Sequence, residues 1–431
     1  METAPVTPDT PAPKRSPAHF FEIFEQLGPG LITGAADDDP SGISTYSVTG
    51  ATFGLSCLWT AVFSFPLMVA VQLMCARLGL VTGRGLAGVI RKRYPRWVLR
   101  SACALLIIAN VFNIGADLAG MSESAAMVTP IPAFVWTPIF AIGIVTALIV
   151  SSYKRVAQTF KLLTLVLFAY VIDAFLAQPD WKAAFMATVL PRVHWNREYL
   201  SVLVGILGTT ISPYLFFWQA SQEVEEEREH GRKTIMQRRG ATPQELRAAR
   251  NDVMVGMFFS NLVMYFIILT NATTLHAHGI TNIETAQQAA EALKPLAGNA
   301  AYLLFTLGIV GTGVLAVPVL AGSCAYAVSE SFAWRASINM RPSIGKRFYS
   351  VLAVSIVLGV GLDFARINPV RMLFLAAVLN GVLAPPLIVL VLLLTNDRKV
   401  MGEATNPLLI NVLGWTCAIA MGVAAICMFI V

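Results

Sequence analysis

Charged residues are scarce in this chain: 13% of its 431 residues, against 56% hydrophobic, with a mean hydropathy of +0.66. Soluble domains carry about 25% charged residues, so this deficit excludes an ordinary soluble fold and sets most of the surface against lipid. Paired cysteines are missing. The six cysteines lie singly in apolar stretches with no CxxC, which excludes a disulfide framework and a structural zinc site. They read as small buried hydrophobes. Histidine is missing from every apolar interior: His19, His194, His230, His276 and His278 fall in tails, loops or span ends. A histidine cage and a buried imidazole relay are thereby excluded. GxSxG, HExxH and P-loop patterns are absent too, and the embedded acids have no nucleophile partners. The chain does not read as an enzyme, and no cofactor is expected.

What is there is a series of apolar stretches of roughly 20 residues, each long enough for a bilayer core of about 30 Å. Eleven spans are expected, near 28–50, 56–80, 99–127, 131–152, 156–178, 200–220, 252–275, 298–330, 347–363, 370–395 and 407–430. They read as helices, since barrel strands are shorter and alternate. With the N-terminus cytoplasmic, Lys and Arg divide 25 to 6 between the inner and outer sides, although the net charge is only +6. That is the positive-inside bias, so the basicity orients the chain and does not call for nucleic acid. The expected location is the plasma membrane, multi-pass.

The Pro-, Thr- and Ala-rich start reads as a disordered cytoplasmic tail over 1–25, with no cleavable signal. Residues 26–398 are expected to form a ten-helix transport core and 399–431 an eleventh helix. The stretch from Glu223 to Arg250, with Glu225, Glu226, Glu227 and Glu229, reads as a solvated cytoplasmic linker of mixed charge. Nothing in the sequence specifies an oligomeric state.

The informative segment is GPGLITGAADDDPSGIST, Gly28 to Thr45, which places Asp37, Asp38 and Asp39 near the middle of the first span. Each carboxylate at a helix centre costs roughly 2.5–3.5 kcal/mol on insertion scales. Three consecutive residues cannot share one protected face of a helix, and Pro40, Ser41 and Gly42 follow at once. The helix is expected to break here, as is tolerated at membrane depth only beside a cavity or inside protein. A water-exposed loop is the bland alternative. The sharper reading is a cation site in which Asp39 supplies charge and freed carbonyls such as that of Ala36 supply further oxygens. The sixth span carries a counterpart, Gly208-Thr209-Thr210-Ile211-Ser212-Pro213-Tyr214. Matching interrupted helices in two halves of a chain point to a transporter site between them. Asp117, deep in the third span, reads as a proton or ion waypoint. Asn110, Asn113, Asn261 and Asn380 read chiefly as links between helices.

These residues resemble a known family. GPGLITGAADDDPSG is similar to the start of the NRAMP divalent-metal transporters, whose first span carries GP…DPGN. The likeness continues through TGRGLAGVIRKRYP, GADLAG and GTGVLAVPVLAGSCAYAVSESF, so it runs from about Gly28 to Thr395 in order. It implies an all-α membrane fold, the LeuT-type five-plus-five inverted repeat with spans one and six broken and an eleventh helix. It implies import of a divalent metal cation by alternating access, commonly with protons.

The departures carry a direction. Asp39 and Pro40 match the family's DP pair, but Gly42 stands where the family has its asparagine ligand. Ser212-Pro213-Tyr214 replaces the family's Met-Pro-His, and Gly120 replaces a glutamate for which Glu123 is a substitute. The family's glutamine in span ten falls on Ala377, with Asn380 nearby. Losing a thioether favours Mg²⁺ or Mn²⁺ over softer metals. The resemblance therefore implies metal contacts from Asp39, Asp38, Ala36, Gly42, Thr209 and Ser212. It implies a proton or ion pathway along Asp117, Glu123, Tyr214 and Asn380. So many lost ligands also leave open a different cargo on the same fold, an amino acid or organic cation paired with Asp38 and Asp39.

Overall fold

The computed structural model describes residues 28–150, 165–364 and 367–430, and the described residues are helical with no strand. The first helices are α1 (Pro29–Asp37), α2 (Pro40–Phe53), α3 (Trp59–Thr82), α4 (Leu86–Arg93) and α5 (Arg96–Val128). Next come α6 (Ala133–Val150), α7 (Phe168–Leu176), α8 (Trp181–Val189), α9 (Arg197–Thr210) and α10 (Pro213–Glu229). The rest are α11 (Pro243–Thr274), α12 (Ala301–Ser331), α13 (Lys346–Asp363), α14 (Pro369–Asn396) and α15 (Leu408–Ile430), with several one-turn helices between α11 and α12.

The first expected span is thus two helices. Asp38 leaves the helical region (φ −81°, ψ 55°) and Asp39 is extended (φ −71°, ψ 169°). The cause is local: Pro40 suits the first turn of a helix and disfavours helical backbone in the residue before it. Asp39 is driven out of α1 and becomes the cap of α2. The sixth span breaks in the same manner, with Ile211 departing at φ −124°, ψ 57°, Ser212 extended, and Pro213 opening α10.

Eight helical stretches among the described residues are long and apolar enough to cross a membrane. The difference from eleven has identifiable sources. The first span is divided, the fifth begins in 156–164, outside the described residues, and α13 carries Lys346, Arg347 and Asp363 within its 18 residues.

Two glycine crossings bring the broken helices against their neighbours. A Cβ on Gly30 would lie 2.6 Å from the Val253 amide nitrogen, and one on Gly34 2.7 Å from the Gly256 Cα, so α1 and α11 meet backbone to backbone. On the other side, Gly208 of α9 sits directly on the Ala377 carbonyl and Gly381 of α14. These approaches hold both breaks at one level of the bundle.

The end of the bundle where α1 begins is pinned by polar contacts. Asp252 of α11 accepts from the Gly30 amide (2.6 Å) and the Leu31 amide (3.3 Å), satisfying donors that the α1 N-terminus leaves open. Arg93 pairs with Asp397 just beyond α14, and the hydrogen bond to that guanidinium holds the Asp397 carboxyl below its usual range.

The linker expectation is corrected here. Glu223 to Glu229 complete α10, and Glu223, Glu225 and Glu227 are buried. Each has found a partner. Gln219 donates to Glu223 (2.8 Å), Ser337 and Arg228 to Glu225 (2.7 Å each), and Arg232 to Glu227 (3.1 Å). Paired acids can be buried where unpaired ones cannot.

Candidate cation site

The break in α1–α2 solves the problem that three adjacent aspartates pose. Unwinding sends them in two directions, and all three are buried, at 0%, 5% and 1% exposure for Asp37, Asp38 and Asp39. Asp37 and Asp38 turn toward α11, where the Ser260 hydroxyl lies 2.6 Å from Asp37 Oδ2 and 3.3 Å from Asp38 Oδ1. Asp39 turns toward α5 and α10. Its Oδ1 accepts from the Ser41 hydroxyl (2.6 Å) and the Gly42 amide (2.7 Å). Its Oδ2 accepts from Asn113 Nδ2 (3.0 Å) and faces the Tyr214 hydroxyl at 3.5 Å.

That tyrosine hydroxyl marks a point of convergence. It donates to the Ala36 carbonyl at 2.9 Å while facing Asp39 Oδ2, so one hydroxyl stands between two of the oxygens expected to hold a cation. The carbonyl is available because the break leaves the end of α1 without its helical continuation. Thr209 supplies a third oxygen. Its hydroxyl is buried, makes no close hydrogen bond, and is faced by the Tyr46 hydroxyl. A Cβ built on Gly42 would lie 2.8 Å from that hydroxyl and 3.5 Å from both the Asp37 carbonyl and Asp39 Oδ1. The missing side chain at Gly42 therefore lets the two broken spans meet.

The remaining expected residues fall at different places. The Ser212 hydroxyl donates to the Gly208 and Thr209 carbonyls, both at 2.8 Å, with its lone pairs remaining. Asp117 is fully buried with both oxygens unbonded, one turn along α5 from Asn113, and the Ser41 amide faces it. Asn380 is buried with neither amide atom bonded. Glu123 lies apart from these contacts. One of its oxygens takes the Ala286 amide at 3.4 Å, and nothing joins it directly to Asp39.

Sequence reasoning passed over four contributors: Asp37, Ser41, Asn113 and Ser260. Asn113 in particular does not serve merely to link helices, as Asn110 does through the Leu320 carbonyl. No local signal marks it, because its partner is 74 residues away. Among the described residues no group of three or more His, Cys, Asp and Glu side chains is placed to hold a metal. A cation here would rest on one or two carboxylates with neutral oxygens, the donor set of hard ions.

A sequence profile described as natural resistance-associated macrophage protein-like, Nramp, matches residues 30–431. The chain belongs to the Nramp family. Relatives include the divalent metal cation transporter MntH of Yersinia enterocolitica, 29% identical over 410 residues and 90% of each chain. The MntH of Klebsiella pneumoniae is 27% identical, again over 90% of each. Among solved structures, the Eremococcus coleocola manganese transporter superposes with a TM-score of 0.74 at 18% identity, covering 96% of this chain and 88% of that one. MhsT in complex with L-phenylalanine gives 0.57 at 12%, covering 94% and 98%. The fold is the LeuT-type architecture that the resemblance implied.

Within this Nramp site, Asn113 is expected to tune affinity. Asn113→Leu removes a donor that orients Asp39, and loss of such an orienting contact typically costs about 10–100-fold in metal affinity. Uptake measured against ion concentration should show a raised KM. An unchanged KM would separate Asn113 from the ion.

Proposed function

We propose that this Nramp chain is a secondary transporter that imports a hard divalent cation, Mg²⁺ or Mn²⁺, by alternating access. The observation that carries this reading is the Tyr214 hydroxyl held between the Ala36 carbonyl and Asp39. A donor hydrogen occupies the place where oxygens from the two sides of a broken helix converge, and a cation would displace it. Thr209 and Ser212 add neutral oxygens, and Asp38 adds charge from the α11 side. The names of the relatives, divalent metal cation and manganese transporters, support the same cargo class. Asp117 is the group on which proton coupling turns, being an unpaired acid one turn from Asn113. On this reading the chain lies in the plasma membrane with its N-terminus cytoplasmic, residues 26–398 as the transport core and 399–431 as an added helix.

Proteoliposomes carrying reporters for Mg²⁺, Mn²⁺ and Ca²⁺, with internal pH followed in parallel, test the proposal. Uptake of Mg²⁺ or Mn²⁺ supports it, and acidification in step with uptake supports proton coupling. Folded protein that moves no divalent ion, yet is stabilised by an amino acid or organic cation in a thermal-shift screen, would replace it with the organic-solute reading. Selectivity gives a second test. Ser212→Met introduces a thioether and should move relative uptake toward Cd²⁺ over Mg²⁺ by several-fold, since sulfur suits softer ions. An unchanged ion profile would remove Ser212 from the set of ligands.

A further inference from the structure

Outside the site described above, one buried acid has no protein counter-charge and no assigned role. Asp173, on the short helix α7, is fully buried, and the Leu296 backbone amide is the one protein donor that faces its carboxylate, neither oxygen making a close hydrogen bond. A buried carboxylate left unpaired costs several kcal/mol, so it is either protonated or neutralised by a cation from outside the chain. Its surroundings favour a cation. Tyr170, one turn before it on α7, turns its hydroxyl toward Ser47 of α2. Ser47 in turn faces Asn271 Nδ2 of α11 at 3.4 Å. That amide nitrogen also donates to the Ile267 carbonyl (2.8 Å), and the Asn271 oxygen is buried and unbonded. The Thr270 hydroxyl donates to the Tyr170 carbonyl (3.0 Å), fixing α7 against α11. The result is a file of oxygens from three helices, with the Asp173 carboxylate one turn along α7 from Tyr170, beside a cavity lined by Ile43, Tyr170, Leu293 and Phe305.

The position of the file gives it a use. Ser47 lies eight residues beyond Asp39 along α2, roughly 12 Å at about 1.5 Å per residue. It lies toward the end of α2 opposite the contacts that pin the start of α1. We propose that Asp173, with Asn271, Tyr170 and Ser47, forms a second cation station on the outer side of the Asp39 site, which a partly hydrated divalent cation occupies before reaching Asp39. This rests on the transport reading above. Carboxylate, amide, phenol and hydroxyl oxygens match a hard cation that keeps part of its water.

Mn²⁺ is the probe, in the full-length protein. Uptake by Asp173→Asn should show a KM raised several-fold with an unchanged maximal rate, and Asp173→Glu should restore the KM. Equilibrium binding, read from the paramagnetic resonance of Mn²⁺, separates the station from the central site. Asp39→Ala should keep a weaker bound population, and Asp39→Ala with Asp173→Asn should lose it. Should Asp173→Asn fail to fold, Asn271→Ala in the Asp39→Ala protein reads the same population, and its loss supports the station. No residual binding in Asp39→Ala, or an uptake curve for Asp173→Asn that overlays the parent's, would overturn the station while leaving the transport reading intact. Absence of Mn²⁺ binding and uptake in the unaltered protein would overturn both.

Discussion

Asp39→Ala is expected to lower Mg²⁺ or Mn²⁺ uptake into proteoliposomes by about 100-fold or more, the upper end of what even an orienting contact costs a metal site. The side chain is the only carboxylate that the α2 cap directs toward both Asn113 and Tyr214. Removing it takes away the charge at the point where the Ala36 carbonyl and the Tyr214 hydroxyl already meet. Folding should survive. The lost cap on α2 costs about 1 kcal/mol, and deleting one of three adjacent buried carboxylates relieves repulsion that partly offsets this. Asp38→Ala should fall between the variant and the parent, because Asp38 has one long contact, from Ser260 at 3.3 Å. The measurement is initial uptake normalised to monodisperse protein, with Mn²⁺-dependent thermal stabilisation as a check on binding. Uptake by Asp39→Ala at the parent's rate would remove Asp39 from the site, and with it the proposal for how this chain holds an ion.

The same residue shows how far the sequence reaches. Asp39 is legible because a carboxylate in lipid is costly and Pro40 forces the residue before it out of the helix. The break at Ile211 and Ser212 is legible for the same reason, through Pro213. Asn113 and Ser260 are not. They act through contacts 74 and 223 residues away, and their own surroundings are ordinary helix interior. The acidic end of α10 misleads in the opposite sense. A run of glutamates reads as solvated by composition, but Ser337 reaches Glu225 from 112 residues away and lets it inside, while Arg232, just past the end of α10, turns back onto Glu227. Pairing between distant parts of a chain is the information that local composition lacks.

The hydrogen bonds at Asp39 also bear on how an ion would come and go. A carboxylate offers about four acceptor positions; Ser41, Gly42 and Asn113 donate to three of them, while the one Tyr214 proton goes to the Ala36 carbonyl. The carboxylate without an ion is therefore held by three neutral donors, so it need not collapse. A cation entering between Asp39 and the Ala36 carbonyl must displace the Tyr214 hydroxyl, 2.9 Å from that carbonyl and 3.5 Å from Asp39 Oδ2. On the proposed transport reading, Tyr214 stands where the family has its histidine and is the group that yields, with a phenol that does not titrate near neutral pH.

Gly256→Leu is expected to cost the protein most of its folded yield, the largest structural effect of any single change proposed here. Gly256 lies where α11 crosses α1. A Cβ there would stand 2.8 Å from the Gly30 carbonyl carbon and 3.0 Å from the Leu31 Cα. Overpacking against side chains costs about 1–3 kcal/mol because rotamers give way. Backbone cannot give way in that manner, so the helices would have to part. Parting them breaks the Asp252 bonds to the Gly30 and Leu31 amides and draws Ser260, one turn on from Gly256, away from Asp37 and Asp38. Two buried acids, Asp37 and Asp38, would then lose polar support together. Gly256→Ala should lower the apparent melting temperature followed by size-exclusion chromatography, and Gly256→Leu should give no monodisperse peak. A Gly256→Leu protein melting at the parent's temperature would show that α1 and α11 can part without cost, and that the α1 break is held by other contacts.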